Sequence, residues 1–332
     1  MSRLGDAALG AARIASAWRF ACWRFGESIA LEALLAASGE FAERATQVIL
    51  DWADTTVLEQ PVIHLVPGVP ILHIARSDER VRERLMELAV RVAERLLTLP
   101  RGRHGALLHR PDLAGWRTHV WVDCLQLDGP FLARLASVSG REELLHAAAD
   151  AVLAPARVLQ DPSGLFNHGF DDSEGKTNGV HWGRGQGWAL LGLVGTLAWL
   201  PPSVDGVAEL RARTLVLMDA LQATSDRGRW HTVVDVESAP VEASLSAFVA
   251  LGLSRARRAG LITTEYAQLE QDAFTVAHAA VSSAGSFEVS EATPVSSSIV
   301  DYESRKTGVF PWGQGPFILM ELEGSQNIDG IA

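Results

Sequence analysis

Nearly every long segment of this chain repeats its apolar residues at helical spacing, which leaves little room for any fold but a helical one. Strand-like alternation is rare, with 229–236 and 288–300 as the main candidates. The periodicity predicts helices over 5–20, 26–37, 40–54, 67–76, 79–98, 123–138, 141–159, 185–199, 206–223, 242–258, 262–283 and 315–323. These pair into six helical hairpins. Small polar turns separate them, as in Ala37-Ser38-Gly39-Glu40, Arg76-Ser77-Asp78-Glu79 and Val138-Ser139-Gly140-Arg141. Ser or Gly stops one helix, and acidic residues suit the first turn of the next. A repeat of about 40 residues also suits an open solenoid. Here, however, the repeat length varies, and long irregular loops recur on one side at 55–66, 100–122, 160–184, 224–241 and 284–314. A closed all-α ring of six hairpins, with functional loops at one end, accounts for this better. No Pro/Ser-rich linker or charge block divides the chain, so a single domain over residues 1–332 is expected.

A hydrophobic fraction of 48% supports a sizeable core. The net charge of −11 argues against nucleic acid, whose phosphates need a basic surface. An acidic ligand would need a local cationic pocket, which draws attention to individual arginines. The longest apolar stretch, Trp188 to Leu200, ends at Pro201 and is shorter than the roughly 18 residues of a membrane span. Arg13 and Arg19 interrupt the N-terminal apolar residues, so no signal peptide is read there. Cys22 and Cys124 form neither a metal spacing nor a disulfide framework, and a cytoplasmic location is expected. Ten tryptophans against two tyrosines suit the apolar faces of sugar rings, although a large helical core also uses Trp.

The loops carry the polar residues of interest. Leu108-His109-Arg110 is followed by His119-Val120-Trp121-Val122-Asp123-Cys124-Leu125-Gln126. Asp123 stands between apolar neighbours, and apolar surroundings favour the protonated carboxyl that a general acid needs. The same residue suits a helix cap, with Gln126 completing a capping box. Gly164 to Asp172 is a polar turn without EF-hand spacing, and Asp171 and Asp172 are second choices for an acid, with Glu242 beside them. His181-Trp182-Gly183-Arg184-Gly185-Gln186-Gly187-Trp188 opens an apolar helix but follows no strand and lacks the G-x-G-x-x-G spacing, so it is not a nucleotide loop. Arg184 offers a planar fork for a carboxylate, with Trp182 and Trp188 as apolar walls; an exposed Arg at a helix start fits equally. Phe310 to Pro316 reads as a stiff turn closing the ring, with Pro316 in the first turn of the last helix.

In order, WVDCLQLDGPFLARLA, GLFNHGFD, HWGRGQGWALLGL, VEASLSAF and PWGQGP resemble the unsaturated glucuronyl and rhamnogalacturonyl hydrolases, glycoside hydrolase families 88 and 105, the second more closely. The resemblance runs from about residue 20 to about residue 323. It implies an (α/α)6 barrel acting on acidic oligosaccharides left by polysaccharide lyases, whose terminal uronate carries a C4=C5 double bond. It implies Asp123 as the acid/base, and His109, Trp121, His168, Trp182 and Arg184 around the sugar, with Trp182 and Arg184 at its carboxylate. The family's second aspartate is missing: Val62-Ile63-His64-Leu65-Val66-Pro67-Gly68 holds no acid, and His64 occupies part of that space.

The implied reaction is hydration of a vinyl ether. Asp123 protonates C4, water adds at C5, and the hemiketal opens to release the aglycon. One acid/base residue can serve twice, and neither metal nor cofactor is called for. A sugar epimerase or isomerase on the same barrel, or a non-catalytic carbohydrate-binding barrel, are the alternatives.

Overall fold

The computed structural model describes residues 4–328. Its helices are α1 (Asp6–Ser16), α2 (Glu27–Ala37), α3 (Gly39–Thr55), α4 (Gly68–Ser77), α5 (Arg82–Leu97), α6 (Cys124–Ser139), α7 (Glu143–Leu159), α8 (Gly183–Leu197), α9 (Val207–Ala223), α10 (Ala243–Arg258), α11 (Ala267–Ala280), the single turn α12 (Val300–Glu303) and α13 (Pro311–Ile328). Short strands are β1 (His119–Trp121), β2 (Gly169–Asp171), β3 (Lys176–Thr177), β4 (Glu288–Ser290) and β5 (Thr307–Val309), and a 3-10 turn, Ile63–Leu65, precedes α4.

Helices α2, α4, α6, α8, α10 and α13 pack each upon the next, and α13 returns to α2. They form a closed inner ring of six. Helices α1, α3, α5, α7, α9 and α11 alternate with them along the chain and pack outside. This is the (α/α)6 barrel. The division follows from composition. Every residue of α8 is buried, as the apolar run that starts at Trp188 requires. The outer α3 buries one stripe only, Phe41, Ala45, Ile49 and Trp52. Inner helices approach closely where glycine permits: a Cβ on Gly192 of α8 would lie 2.4 Å from the Leu125 carbonyl carbon of α6. Arg255 of α10 clasps the ring shut, with Glu32 of α2 at 3.0 Å and Glu323 of α13 at 2.8 Å. Burial raises the Glu32 carboxyl, but Arg255 and Arg134 outweigh this and hold it below its ordinary value.

All six inner helices start at the same end of the barrel. There the outer-to-inner connections are long, while the inner-to-outer turns at the other end are short. Three expectations need correction. α1 stops at Ser16, whose hydroxyl bonds back to the Arg13 carbonyl at 2.8 Å, so residues 17–26 add a sixth long connection. The last helix begins at Pro311, which takes the first-turn position expected of Pro316. Segment 288–300 contains β4, paired with β5, but 229–236 makes only isolated bridges such as Trp182 with Val233.

Candidate active site

A small antiparallel sheet zips two of the long loops together. β1 pairs with β2, setting Trp121 opposite Gly169 and His119 opposite Asp171, and β2 pairs with β3. Just past the sheet, the Val122 amide donates to the His168 carbonyl at 3.0 Å. This brings Asp123, at the start of α6, beside His168. The backbone of Asp123 is helical, with φ −57° and ψ −35°, and its side chain caps nothing. A capping side chain needs extended backbone, so the capping box with Gln126 does not form. The carboxylate lies instead 3.4 Å from His168 Nε2.

A count of donors orients His168. Tyr302 Oη accepts from the Ser296 amide and from Asn178 Nδ2, each at 3.1 Å. Both lone pairs are then used, and burial pushes the phenol above its ordinary value, so it keeps a proton to donate. The Ser296 carbonyl, 3.1 Å away, already accepts from Asn178 Nδ2 at 2.6 Å. The better acceptor is His168 Nδ1 at 2.8 Å. His168 therefore carries its own proton on Nε2 and presents it to Asp123. Tyr302 also ties the segment around Ser296 to the barrel. Its role was not legible, because it lies 134 residues from His168 in sequence.

Opposite this pair, His109 Nδ1 accepts from the Trp121 amide at 2.7 Å, which leaves the His109 proton on Nε2. Burial, then His64, holds His109 well below its ordinary value, so the ring is neutral. His64 meets it edge to face, with centroids 4.6 Å apart. His64 Nδ1 donates to both oxygens of Asp128 of α6, at 2.8 and 2.9 Å, and its Nε2 is buried without a partner. A ring nitrogen of each histidine and the Cys124 sulfur lie within 4.8 Å of one another. That spacing would admit a metal ion, but the protonation states do not suit one. His109 holds its proton on Nε2, and burial followed by Asp128 and Asp123 pushes the Cys124 thiol well above its ordinary value. His109 Nε2 therefore offers no lone pair, and the three residues do not form a ready ligand set.

These groups line one cavity of about 300 Å³. His64, His109, Trp121, Asp123, His168 and Trp182 all face it, with Phe25, Arg110 and the Ala292–Val295 segment completing the wall. Two residues expected at the sugar do not. Arg184 has no exposed surface and stacks behind Trp182, 4.5 Å from the ring centroid. Its fork is taken by Ser290 Oγ at 2.9 Å, the Glu291 carbonyl at 2.8 Å and Glu242 at 3.4 Å. Trp188 is buried between Phe25 and Phe248. In this structure both brace the wall. The second-choice acids are occupied elsewhere. Asp171 accepts from the Thr118 hydroxyl at 2.7 Å, Asp172 from the Arg103 amide at 2.8 Å, and Glu242 joins Arg184, Ser244 and Ser290. Among the described residues, Asp123 is the one carboxylate and Arg110 the one arginine or lysine lining the cavity. Arg110 is held by Asp112 through Nε and Nη2, each at 3.0 Å.

The chain is similar to the unsaturated rhamnogalacturonyl hydrolase YesR of Bacillus subtilis (strain 168), with 28% identity over 239 residues, 68% of this chain and 67% of that one. A solved structure from Klebsiella pneumoniae subsp. pneumoniae MGH 78578, described as a possible member of the GH105 family, superposes with a TM-score of 0.82 at 21% identity, covering 97% of this chain and 92% of that one. The unsaturated glucuronyl hydrolase of Bacillus sp. GL1, described as responsible for the degradation of glycosaminoglycan, gives a TM-score of 0.73 at 17% identity over 97% and 96%. These likenesses show the fold. Residues 40–327 match the sequence profile of Glycosyl Hydrolase Family 88, so the chain belongs to that family and is a glycoside hydrolase.

Proposed function

We propose that this hydrolase removes a terminal C4=C5 unsaturated uronate from lyase-generated oligosaccharides by hydrating the double bond. The observation that carries the reading is the single carboxylate of the cavity, Asp123, free of any capping duty and addressed by His168. Displacement at an anomeric carbon ordinarily uses two carboxylates flanking the bond. Hydration of a vinyl ether needs only one acid and a water. The named relatives support the substrate class: YesR acts on unsaturated rhamnogalacturonyl groups by name, and the Bacillus sp. GL1 enzyme on unsaturated glucuronyl groups. Family membership also sets aside the epimerase and the non-catalytic barrel.

In this reading Asp123 gives its proton to C4 while His168 Nε2–H steadies the resulting carboxylate. Trp121 and Trp182 flank the ring. Arg110 takes the uronate carboxylate, the role expected of Arg184, because Arg110 reaches the cavity and Arg184 does not. Arg184 supports Trp182 from behind. We read residues 1–332 as one catalytic domain. The free thiols Cys22 and Cys124 support a reducing, cytoplasmic setting. No helix among the described residues is long and apolar enough to cross a membrane.

Isotope placement tests the chemistry. Turnover of an unsaturated galacturonyl-rhamnose disaccharide in heavy water puts deuterium at C4, and labelled water puts its oxygen at C5. Label at the anomeric carbon, or brisk hydrolysis of the saturated uronide, would establish direct displacement instead.

A further inference from the structure

The pair His64–Asp128 sits where the family resemblance leads one to look for a second carboxylate and the sequence has none. We propose that His64 and His109 hold the water that adds to C5, and that His64, backed by Asp128, takes that water's proton while Asp123 serves as the acid alone. The inference rests on the hydration reading above and divides its proton transfers between two groups.

Three observations carry it. First, the Nδ1–H of His64 is committed to both oxygens of Asp128, which fixes the ring and leaves Nε2 as the nitrogen not already engaged. Second, that Nε2 is buried and unpartnered, on a side chain only 3% exposed in the wall of the cavity. A buried polar atom left unsatisfied calls for an explanation, and a reacting water is one. Third, His109 presents a donor, Nε2–H, from the facing ring. One ring nitrogen of each histidine lies within 4.8 Å of the other's, a separation that two hydrogen bonds through one water can span. The water's oxygen accepts from His109 and points one hydrogen at His64, so its remaining lone pair is available for attack.

The step balances. The Asp123 proton forms the C4–H bond with the π electrons of C4=C5. The water oxygen bonds to C5, and its proton goes to His64 Nε2. When the hemiketal opens, the C5 hydroxyl proton returns to Asp123. The C5–O bond to the ring oxygen breaks, and that oxygen takes the proton from His64. Both groups are reset and one water has been consumed; the C1 hemiacetal so formed then collapses to the aldehyde, its hydroxyl proton passing to the departing aglycon oxygen. Asp128 touches no reacting atom; it is a positioning residue that acts through His64.

The test uses the full chain and the unsaturated galacturonyl-rhamnose disaccharide, following loss of the ultraviolet absorbance of the double bond. His64→Gln keeps hydrogen bonding but cannot take up a proton. It should lower kcat by about 10²–10³, within the range of general base catalysis, with KM changed less than about threefold. His64→Ala should lose kcat similarly and recover part of it in added imidazole. Asp128→Asn should lower kcat by about tenfold or more, with imidazole giving no rescue because the ring is still present. Circular dichroism and unfolding midpoints identify any variant that has merely lost its fold, and Asp128→Glu then replaces Asp128→Asn as the conservative probe, expected to restore kcat. A raised KM with unchanged kcat in His64→Gln, or no imidazole rescue of a folded His64→Ala, would reduce the pair to a sugar contact and overturn the proposal. If the wild-type chain left every unsaturated disaccharide intact, the hydration reading itself would fall, a result distinct from either of these.

Discussion

The two ends of the barrel are built from the same inner helices but handle the chain differently. At the far end, α2 passes to α3 through Ser38 alone, and α6 to α7 through Gly140, Arg141 and Glu142. At the near end, the chain takes residues 98–123 between α5 and α6, and 281–310 between α11 and α13. Every cavity residue comes from the near end. Among the described residues, the far end holds the Arg255 clasp and no group facing the cavity. Long connections supply backbone that can pair into small sheets and turn polar groups inward, while short turns only reverse direction. Stability and chemistry are therefore separated along the barrel axis, and substitutions at the two ends should divide accordingly.

The sharpest division comes from Asp123→Asn at the near end. It should lower kcat by about 10²–10⁴ and leave the unfolding midpoint unchanged, since the side chain caps nothing. Steady-state rates with parallel denaturant melts check both halves, and near-normal activity would end the assignment of Asp123 as the acid. Next is Arg255→Met at the far end. It removes one cation from two largely buried carboxylates, while Arg134 stays beside Glu32 and Arg258 beside Glu323; breaking a fully buried pair costs about 3–5 kcal/mol, so a smaller loss of about 1–2 kcal/mol is expected with KM and kcat retained. Glu32 is held below its ordinary value, so its contribution is present above the ordinary carboxyl pKa and is lost as pH falls through the lowered one. Acid melts of the wild type should show that loss, and melts of Arg255→Met should show less of it, because Arg134 remains beside Glu32.

Arg110→Gln returns to the near end. If Arg110 holds the uronate, KM for the acidic disaccharide should rise about tenfold, or ~1.4 kcal/mol, with little change in kcat. An unchanged KM would leave the carboxylate without its anchor and reopen the case for Arg184. The smallest effect belongs to the outer ring. Glu209 of α9 bridges Arg157 of α7 and Arg213, and the hydrogen bond from Arg157 is the main cause that lowers its carboxyl to about 2. Its stabilisation is present above the ordinary value near 4.5 and is lost as pH falls toward about 2. The side chain is 36% exposed, so solvent screening limits Glu209→Gln to at most about 1 kcal/mol at neutral pH.

The helices were legible because their periodicity extends over many turns, and the ring could be inferred from the rhythm of short and long connections. The β1–β3 sheet was not legible, because strands of two or three residues are too short to show alternation. The start of α13 was hidden by Pro311-Trp312-Gly313-Gln314-Gly315-Pro316, which reads as a turn. Those glycines serve close approach: a Cβ on Gly315 would lie 2.8 Å from the Ala30 amide nitrogen of α2. Six of the eight singled-out site residues line the cavity. Arg184 and Trp188 do not, because spacing along a helix start cannot tell a wall from the brace behind it. Asp128 did carry a signal, an acid inside the apolar run Leu125-Gln126-Leu127-Asp128-Gly129. Arg110 had only its neighbour His109 to recommend it.

The cavity itself, about 300 Å³, lies at the small end of the roughly 300–1,000 Å³ common for ligand sites. Its wall is completed by the Ala292–Val295 segment, and Tyr302 fastens the adjoining Ser296 to the barrel. A site of this size admits the terminal sugar on which the proposed reaction acts. Each turnover then ends with both products leaving, and the next begins with a fresh encounter. Under the proposed function, the rate of degradation follows the number of chain ends in solution and is indifferent to the mass of polysaccharide behind them. Upstream cleavage into many short pieces raises this enzyme's flux, while the same sugar left in a few long chains keeps it nearly idle.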